Sequence, residues 1–553
     1  MKQILKDIFK ILTPRETRII WRLAVADVFI SVLDIVFLIG LLYVINFYTG
    51  NGTPAKNVPL AVFNEYPILP ITVFLFLFAI KNIIGFLISK HQFNFVYGVA
   101  SRISRDNLLQ YLNGPFSDYI HIDSSVMSRK ISQQPIEFCH YVLNGIQQIF
   151  TQAVLILFTL LAIVIFNPVL FPLLILILGP PVFLISFFMR RKLHGGRIHG
   201  KEMSEKSIQH LQEALSGYVE SNVYMKNDFF SNRYHRFQAQ LNHYLSERLT
   251  IQNMPSRFIE VFAVFGLFIL ILFNFLNYHN HSIQFITLGA LMVAAYKIIP
   301  GIVKITNTAG QVETYAYSTK GLMREVELPV KAFGLTNPIS SVAFDNIYFS
   351  YGEKIILNNF SLTMGRGDML GIRGLSGKGK TTLVNLMLGF LSPEQGNIFF
   401  NGQLTDANNR MEYWPRISYI KQQHFFLHAS LVENIILDED NYDREKLKKI
   451  LNLTGIDKMI LSFPKGIETV ITENGKNFSG GQRQRIILAR ALFRDFDLLI
   501  LDEPFNELDE SAEIELLKQL QVIADEGKIV LLITHNIAAF SFCNRKIQLD
   551  ESE

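Results

Sequence analysis

The sequence predicts an α-helical membrane domain of six spans followed by a soluble α/β domain. Three observations carry this. Residues 1 to about 310 hold apolar runs of the ~20 residues that a bilayer crossing needs. From residue 340 onward the chain reads as an ordinary soluble domain. In that second part a glycine-rich loop, Gly374-Leu-Ser-Gly-Lys-Gly379-Lys380-Thr381-Thr382, stands between a buried strand pattern and a helical run.

Composition sets the outer bounds. The 553 residues are 49% hydrophobic and 18% charged, too apolar for a disordered chain. A net charge of +4 gives no ground for a nucleic-acid partner. The cysteines are two, Cys139 and Cys543, and neither sits in a C-x-x-C, which excludes a disulfide framework and a cysteine zinc site.

Six stretches read as spans: 19–48, 67–90, 140–166, 168–190, 257–278 and 283–305. The first is too long for the apolar core of a cleaved signal peptide. Cations mark one side of the bilayer: Lys2, Lys6, Lys10, Arg15 and Arg18 at the start, Arg102, Arg105, Arg129 and Lys130 in loop 91–139, and Arg191 and Lys192 opening loop 191–256. Loop 49–66 has only Lys56 and 279–282 has none, so both termini are expected in the cytoplasm. The cytoplasmic loops are long and helical in pattern, so the helices should continue well below the membrane. Charges within spans are costly and therefore candidates for function. Asp27 and Asp34 share a face of the first span, Lys81 lies in the second, Arg257 and Glu260 open the fifth, and Lys297 lies beside Pro300 in the sixth. Simple pairing, or snorkelling of Arg257 and Lys297 to the interface, is the alternative reading.

The soluble half carries the chemistry. The loop is a phosphate-binding G-x-x-x-x-G-K-T in its strand–loop–helix setting, which predicts an α/β P-loop NTPase fold. Backbone N–H groups from Gly374, Ser376, Gly377, Lys378, Gly379 and Thr382 are expected to wrap ATP phosphates at a helix N-terminus. Lys380 should hold the β- and γ-phosphates, and Thr381 should ligate Mg²⁺. A second strand, Leu498–Leu501, ends in Asp502-Glu503. Asp502 would serve Mg²⁺ and Glu503 would polarise an attacking water. Ser479-Gly480-Gly481-Gln482 opens another helix and forms a second anion cradle.

With these motifs in order, residues 340–553 resemble the nucleotide-binding domain of ATP-binding cassette (ABC) transporters. Phe478–Gln482 resembles that family's signature, with Phe478 where Leu is usual. The resemblance implies that Tyr351 stacks on adenine and that Gln422 senses Mg²⁺ and the membrane domain. It also implies that Asp509 crosses a dimer interface and that His535 contacts the γ-phosphate. In that family Ser479 and Gly481 act in trans on the partner's ATP, so a homodimer, or a heterodimer with a related half-transporter, is expected. Lys378, Lys421, and Pro504 with Phe505 depart from the usual residues without touching the Mg²⁺ or water positions.

Six spans before one such domain resemble a half-transporter of the type IV ABC exporter fold. The implied organisation is a membrane domain at 1–320 with two cytoplasmic coupling loops, a linker at 321–339 and the nucleotide-binding domain at 340–553. The coupling helices are expected near Ser124–Gln134 and Leu215–Lys226. The membrane half is most similar to bacterial lipid-linked oligosaccharide flippases, through Ile11-Leu-Thr-Pro-Arg, Ile30–Asp34 and Tyr296–Pro300. That resemblance implies ATP-driven flipping of an anionic, polyprenyl-pyrophosphate-linked glycan across the bacterial cytoplasmic membrane. Lys81, Lys297, Arg257 and Asp34 are then the candidate cavity residues. A buried pyrophosphate needs compensating cations, which agrees. The rival is an exporter of a peptide or small hydrophobic compound, kept open by Asp27, Asp34 and the 12% aromatic content.

Overall fold

The computed structural model describes residues 2–48, 68–114, 116–166, 172, 180, 183–184, 187, 197–276, 285–319, 322, 338–375, 377–437 and 442–549. The chain divides into two compact units, Met1–Leu328 and Pro329–Glu553.

The first unit is helical. A short α1 (Lys2–Ile11) leads into α2 (Pro14–Tyr48). The entry to α2 is a reciprocal cap: Thr13 N–H donates to Glu16 at 2.8 Å and Glu16 N–H donates to the Thr13 hydroxyl at 3.2 Å. Pro14 follows at the first helical position, where its missing N–H costs nothing. Then come α3 (Leu69–Leu112) and the short α4 (Phe116–His121). The returning leg runs through α5 (Ser124–Ser128), a π turn (Arg129–Gln133), α6 (Gln134–Glu137), a second π turn (Phe138–Leu143) and α7 (Asn144–Phe166). Beyond it lie α8 (Arg197–Ser216), α9 (Tyr218–Val223), α10 (Asn227–Leu276) and α11 (Phe285–Tyr315), closed by a 3₁₀ turn at Ala316–Thr319.

Among the described residues three helical segments are long and apolar enough to cross a membrane: Pro14–Leu41, Leu69–Leu112 and Ser124–Ile165. The stretches expected at 257–278 and 283–305 fall mostly on α10 and α11. The stretch at 168–190 lies largely outside the described residues. The helices are indeed longer than a bilayer: the 44 residues of α3 span about 66 Å at 1.5 Å each, against about 30 Å of hydrocarbon. Asn113-Gly114-Pro115 stops α3 early, so the short helix between the first two long legs is α4. Ser124–Gln134, expected to hold the first coupling helix, contains the short α5 and the first π turn. The second expected segment does contain a short helix, α9.

Packing within this unit is uneven for a physical reason. Ile8, Ile11, Val96, Val99, Phe138, Val142 and Val312 form a buried cluster joining α1, α3, the second π turn and α11. Phe76, Phe86 and Ile165, in the apolar windows, are exposed. Such faces need an apolar solvent, and their helical backbone satisfies its own polar groups. Small residues allow close approach of α7 and α11: a Cβ on Gly145 would meet Val312 Cγ2 at 2.7 Å, and one on Gly301 would meet Ile156 at 3.2 Å.

The second unit holds two sheets. An antiparallel sheet of order β2-β1-β4-β5 is built from β1 (Ser341–Tyr351), β2 (Lys354–Gly365), β4 (Gln395–Phe400) and β5 (Gln403–Leu404). A parallel sheet of order β6-β7-β8-β3-β9 is built from β3 (Met369–Gly374), β6 (Ile417–Ile420), β7 (Leu498–Asp502), β8 (Ile529–Ile533) and β9 (Arg545–Leu549). Every residue of β7 and β8 is buried, as the unbroken apolar runs of a two-sided parallel sheet require. The helices of the unit include α12 (Lys380–Met387), α13 (Leu431–Ile436), α14 (Arg444–Leu453), α15 (Gly480–Phe493), α16 (Glu510–Asp525) and α17 (Ile537–Ser541).

Candidate nucleotide site

The site forms at the C-terminal edge of the parallel sheet, where β3, β7 and β8 end side by side. From β3 the chain turns through Gly377 (φ +81°) to Gly379 (φ +90°), the cap of α12. Gly379 has a second constraint: a Cβ there would meet Ile356 Cγ2 at 2.6 Å. The loop's N–H groups and the start of α12 thus form an anion cradle. Lys378 is half-buried beside it; Ser376 lies outside the described residues.

Lys380 leads α12 and its side chain is buried. Its Nζ donates to the Gly374 carbonyl at 2.7 Å, lies 2.7 Å from His535 Nε2 and 3.9 Å from Glu503 Oε1. Burial pushes its pKa down, opposed by Glu503 and Asp502. His535 Nε2 is also 2.7 Å from Glu503 Oε1. One ring nitrogen cannot accept from Lys380 and donate to Glu503 at once, so the proton on His535 selects the partner. Glu503 Oε2 accepts from Gln422 Nε2 at 2.8 Å and from Asn506 Nδ2 at 3.0 Å. Glu503 sits at φ +52°, held by its N–H donating to Ile533 O at 2.9 Å. A carboxylate so over-determined has a fixed aim, which is what positioning a water demands. It opens on a cleft of about 490 Å³ lined by Gln422, His424, Arg483 and Glu507.

Asp502 ends β7, buried, with Oδ2 lacking any hydrogen-bond partner. Burial first, then the Glu503 charge, pushes its pKa up to about 6, against Lys380, Thr381 and His535. An orphaned carboxylate oxygen beside the Thr381 hydroxyl is a hard oxygen donor set, and it fits Mg²⁺.

The other expected positions are surface features. Tyr351, 48% exposed at the end of β1, meets Phe349 edge-on at 5.0 Å and leaves its ring face open. Ser479 caps α15 through a reciprocal box: its hydroxyl accepts from Gln482 N–H at 3.3 Å, and its N–H donates to Gln482 Oε1 at 2.9 Å. Gly480 and Gly481 follow in close contact with Glu507: a Cβ on Gly480 would meet its carboxylate at 2.6 Å and one on Gly481 its carbonyl oxygen at 3.1 Å. Asp509 caps α16 by accepting from Ala512 N–H at 3.2 Å and from the Ser511 hydroxyl; these bonds pull its pKa down. Sequence reasoning assigned no role to Asn506 or Glu507. The i, i+3 spacing of Glu503 and Asn506 after a strand end was the available signal for the former. Glu507 is recognisable only in three dimensions, by its ion pair with Arg483 at 3.3 Å.

In the helical unit Lys81 Nζ lies 2.5 Å from Asp34 Oδ1 and the lysine side chain is only 8% exposed. The pair joins α3 to α2, the counter-ion arrangement, and the ammonium lies 5.0 Å from the Phe78 ring centre. Asp27 accepts from Gln147 at 3.1 Å and Thr151 at 2.9 Å, both on α7. Arg257 is exposed on α10. Lys297 is on α11, but its side chain, like that of Glu260, lies outside the described residues.

A glycine-rich phosphate loop after β3, the acid-ended strand β7 one strand removed, and a buried lysine close to both define an ATP-binding α/β domain of the P-loop class. Residues 357–506 match the ABC transporter family, and the second unit is an ABC transporter ATP-binding domain. An export ATP-binding/permease protein of Rickettsia bellii is 30% identical over 393 residues, 64% of each chain. An ATP-dependent lipid A-core flippase of Syntrophus aciditrophicus is 26% identical over 349 residues, 62% of this chain and 58% of that one. The chain spans less than two thirds of the length of the curated relatives it matches. A bacterial Atm1-family ABC exporter with ATP bound superposes with TM-score 0.76 at 16% identity, over 96% of this chain and 94% of that one, and this shows that the two share the exporter fold.

Proposed function

We propose that this chain is one half of a dimeric ABC exporter that hydrolyses ATP to move a substrate across the bacterial cytoplasmic membrane, with both termini in the cytoplasm. The observation that carries this is the Glu503 carboxylate held by Gln422, Asn506 and His535 next to Lys380. Glu503 orients the attacking water and takes its proton. Lys380 and the loop N–H groups hold the β- and γ-phosphates, and His535 follows the γ-phosphate. Thr381, Asp502 and Gln422 would hold Mg²⁺, which supplies charge neutralisation on the phosphates. Tyr351 stacks on adenine. Ser479 and Gly481 serve the ATP of the partner, so each copy supplies what the other lacks.

For the cargo, the favoured reading is an anionic lipid-linked oligosaccharide, supported by the resemblance in the membrane half and by a relative named as a lipid A-core flippase. One observation favours the alternative, a peptide or hydrophobic compound: the buried Lys81 already has its compensating charge in Asp34. ATP hydrolysis in proteoliposomes, measured against polyprenyl-pyrophosphate glycans, lipid A, peptides and hydrophobic amines, separates the two. Stimulation by the pyrophosphate lipids is expected; stimulation by the amines or peptides alone overturns the lipid reading.

A further inference from the structure

Among the described residues of the helical unit, a heavily compensated charge cluster lies outside the apolar windows of α2 and α3 and next to the turn that ends α11. Arg129, in the first π turn, has a side chain only 3% exposed. Its Nη2 donates to Glu137 Oε1 and Oε2 at 3.1 and 3.0 Å and to the Tyr317 hydroxyl at 2.8 Å. The Tyr317 hydroxyl in turn donates to Glu137 Oε2 at 2.8 Å. Glu205 Oε1 of α8 lies 3.8 Å from Arg129 Nη1. Around this core Gln134 Nε2 donates to Ser318 O at 3.0 Å. Tyr141 and Tyr315 stack at 3.9 Å with rings 1° from parallel, and Arg248 of α10 lies 4.3 Å from the Tyr315 ring.

Three chain segments therefore meet on one guanidinium: the returning leg, α8, and the 3₁₀ turn that ends α11. That turn is the last described element, apart from Leu322, before the chain passes to the ATP-binding domain. A buried ion cluster gives little net stability against an apolar one but fixes register firmly, because each partner left alone is a buried charge. The two π turns flank α6, and such turns inside helices recur at functional positions. We infer that Arg129, Glu137, Glu205 and Tyr317 form a coupling latch: it fastens the end of α11 to the returning leg and to α8, so that displacement of the chain beyond Thr319 is delivered to the membrane helices. Arg129 is a positioning residue here, remote from any ATP chemistry. The inference rests on the exporter reading.

The test uses the full chain in proteoliposomes with Ile165→Cys, an exposed position at the far end of α7. Labelling by an impermeant maleimide is timed with and without ATP plus orthovanadate. In the parent the rate should change by about fivefold or more, the lower end of usual coupling. In Tyr317→Phe, which keeps the ring and loses one hydroxyl, the change should vanish while basal ATP hydrolysis and the melting temperature stay near parental values; in Glu137→Gln, which leaves the buried Arg129 charge to the more distant Glu205, the change should vanish too, with a lowered melting temperature. Arg129→Lys, which keeps the charge without the fork, should respond partially. Variants that respond as the parent does overturn the latch. A parent that does not hydrolyse ATP overturns the exporter reading, and the latch with it.

Discussion

The side-chain amide of Gln422 donates to the carboxylate of Glu503 across 2.8 Å. This bond ties the segment after β6 to the end of β7, so a group named for sensing and a group named for hydrolysis form one unit. Removing charge from Glu503 while keeping its shape separates binding from chemistry. Glu503→Gln should bind ATP within a few-fold of the parent and release phosphate at least about 10²-fold more slowly, the usual worth of a general base. Phosphate release at parental speed excludes Glu503 as the base.

Asp502 predicts a pH dependence. Its folded-state pKa, about 6, lies above the ordinary carboxylate value near 4. The folded domain therefore binds the extra proton between those values. Nucleotide-free stability should fall as pH rises through pH 4 to 6, by roughly 3 kcal/mol, and Asp502→Asn should flatten the profile. Mg²⁺-dependent hydrolysis, which needs the ionised carboxylate, should rise over the upper part of the same interval. Melting temperatures and phosphate release across pH 4.5–8 read both; a parental stability profile in Asp502→Asn refutes the assignment.

Action in trans is testable by mixing. Lys380→Ala and Ser479→Ala should each be inactive as the sole protomer. Co-expressed, they form mixed dimers in which one composite site holds both defects and the other is intact. Activity should return to about a quarter of the parent if each dimer type forms statistically and sites act independently. No recovery would falsify the head-to-tail arrangement.

The Lys81–Asp34 pair sets a stability prediction. Lys81→Met removes the ammonium paired with the Asp34 carboxylate and should cost about 3 kcal/mol; Lys81→Met with Asp34→Leu should recover most of that loss. Thermal unfolding in nanodiscs reports the difference. A double variant no more stable than the single one means that the pair is not coupled.

The phosphate loop, the Asp502-Glu503 strand end and the signature helix were legible because each is local. Gly377 and Gly379 mark positive-φ turns, and four apolar residues before an acid mark a buried strand. The short α4 went unread, because it is set by the stop at Asn113-Gly114-Pro115 rather than by its own pattern. Lys81 and Asp34 were each visible as a charge in a span. Their pairing was not, since a sequence separation of 47 says nothing about which faces of α2 and α3 meet.

By itself the chain's order of residues determined the division into apolar and soluble parts, the strand–loop–helix that cradles phosphate and the identity of the acids beside it. These follow from periodicity and from backbone angles that only certain residues adopt. Only the tertiary structure decided which charges are compensated: Lys81 by Asp34, Arg129 by Glu137, Glu205 and Tyr317, and Glu503 by Gln422, Asn506 and His535. Electrostatic energy depends on distance through space and on burial, and neither quantity is written in sequence separation.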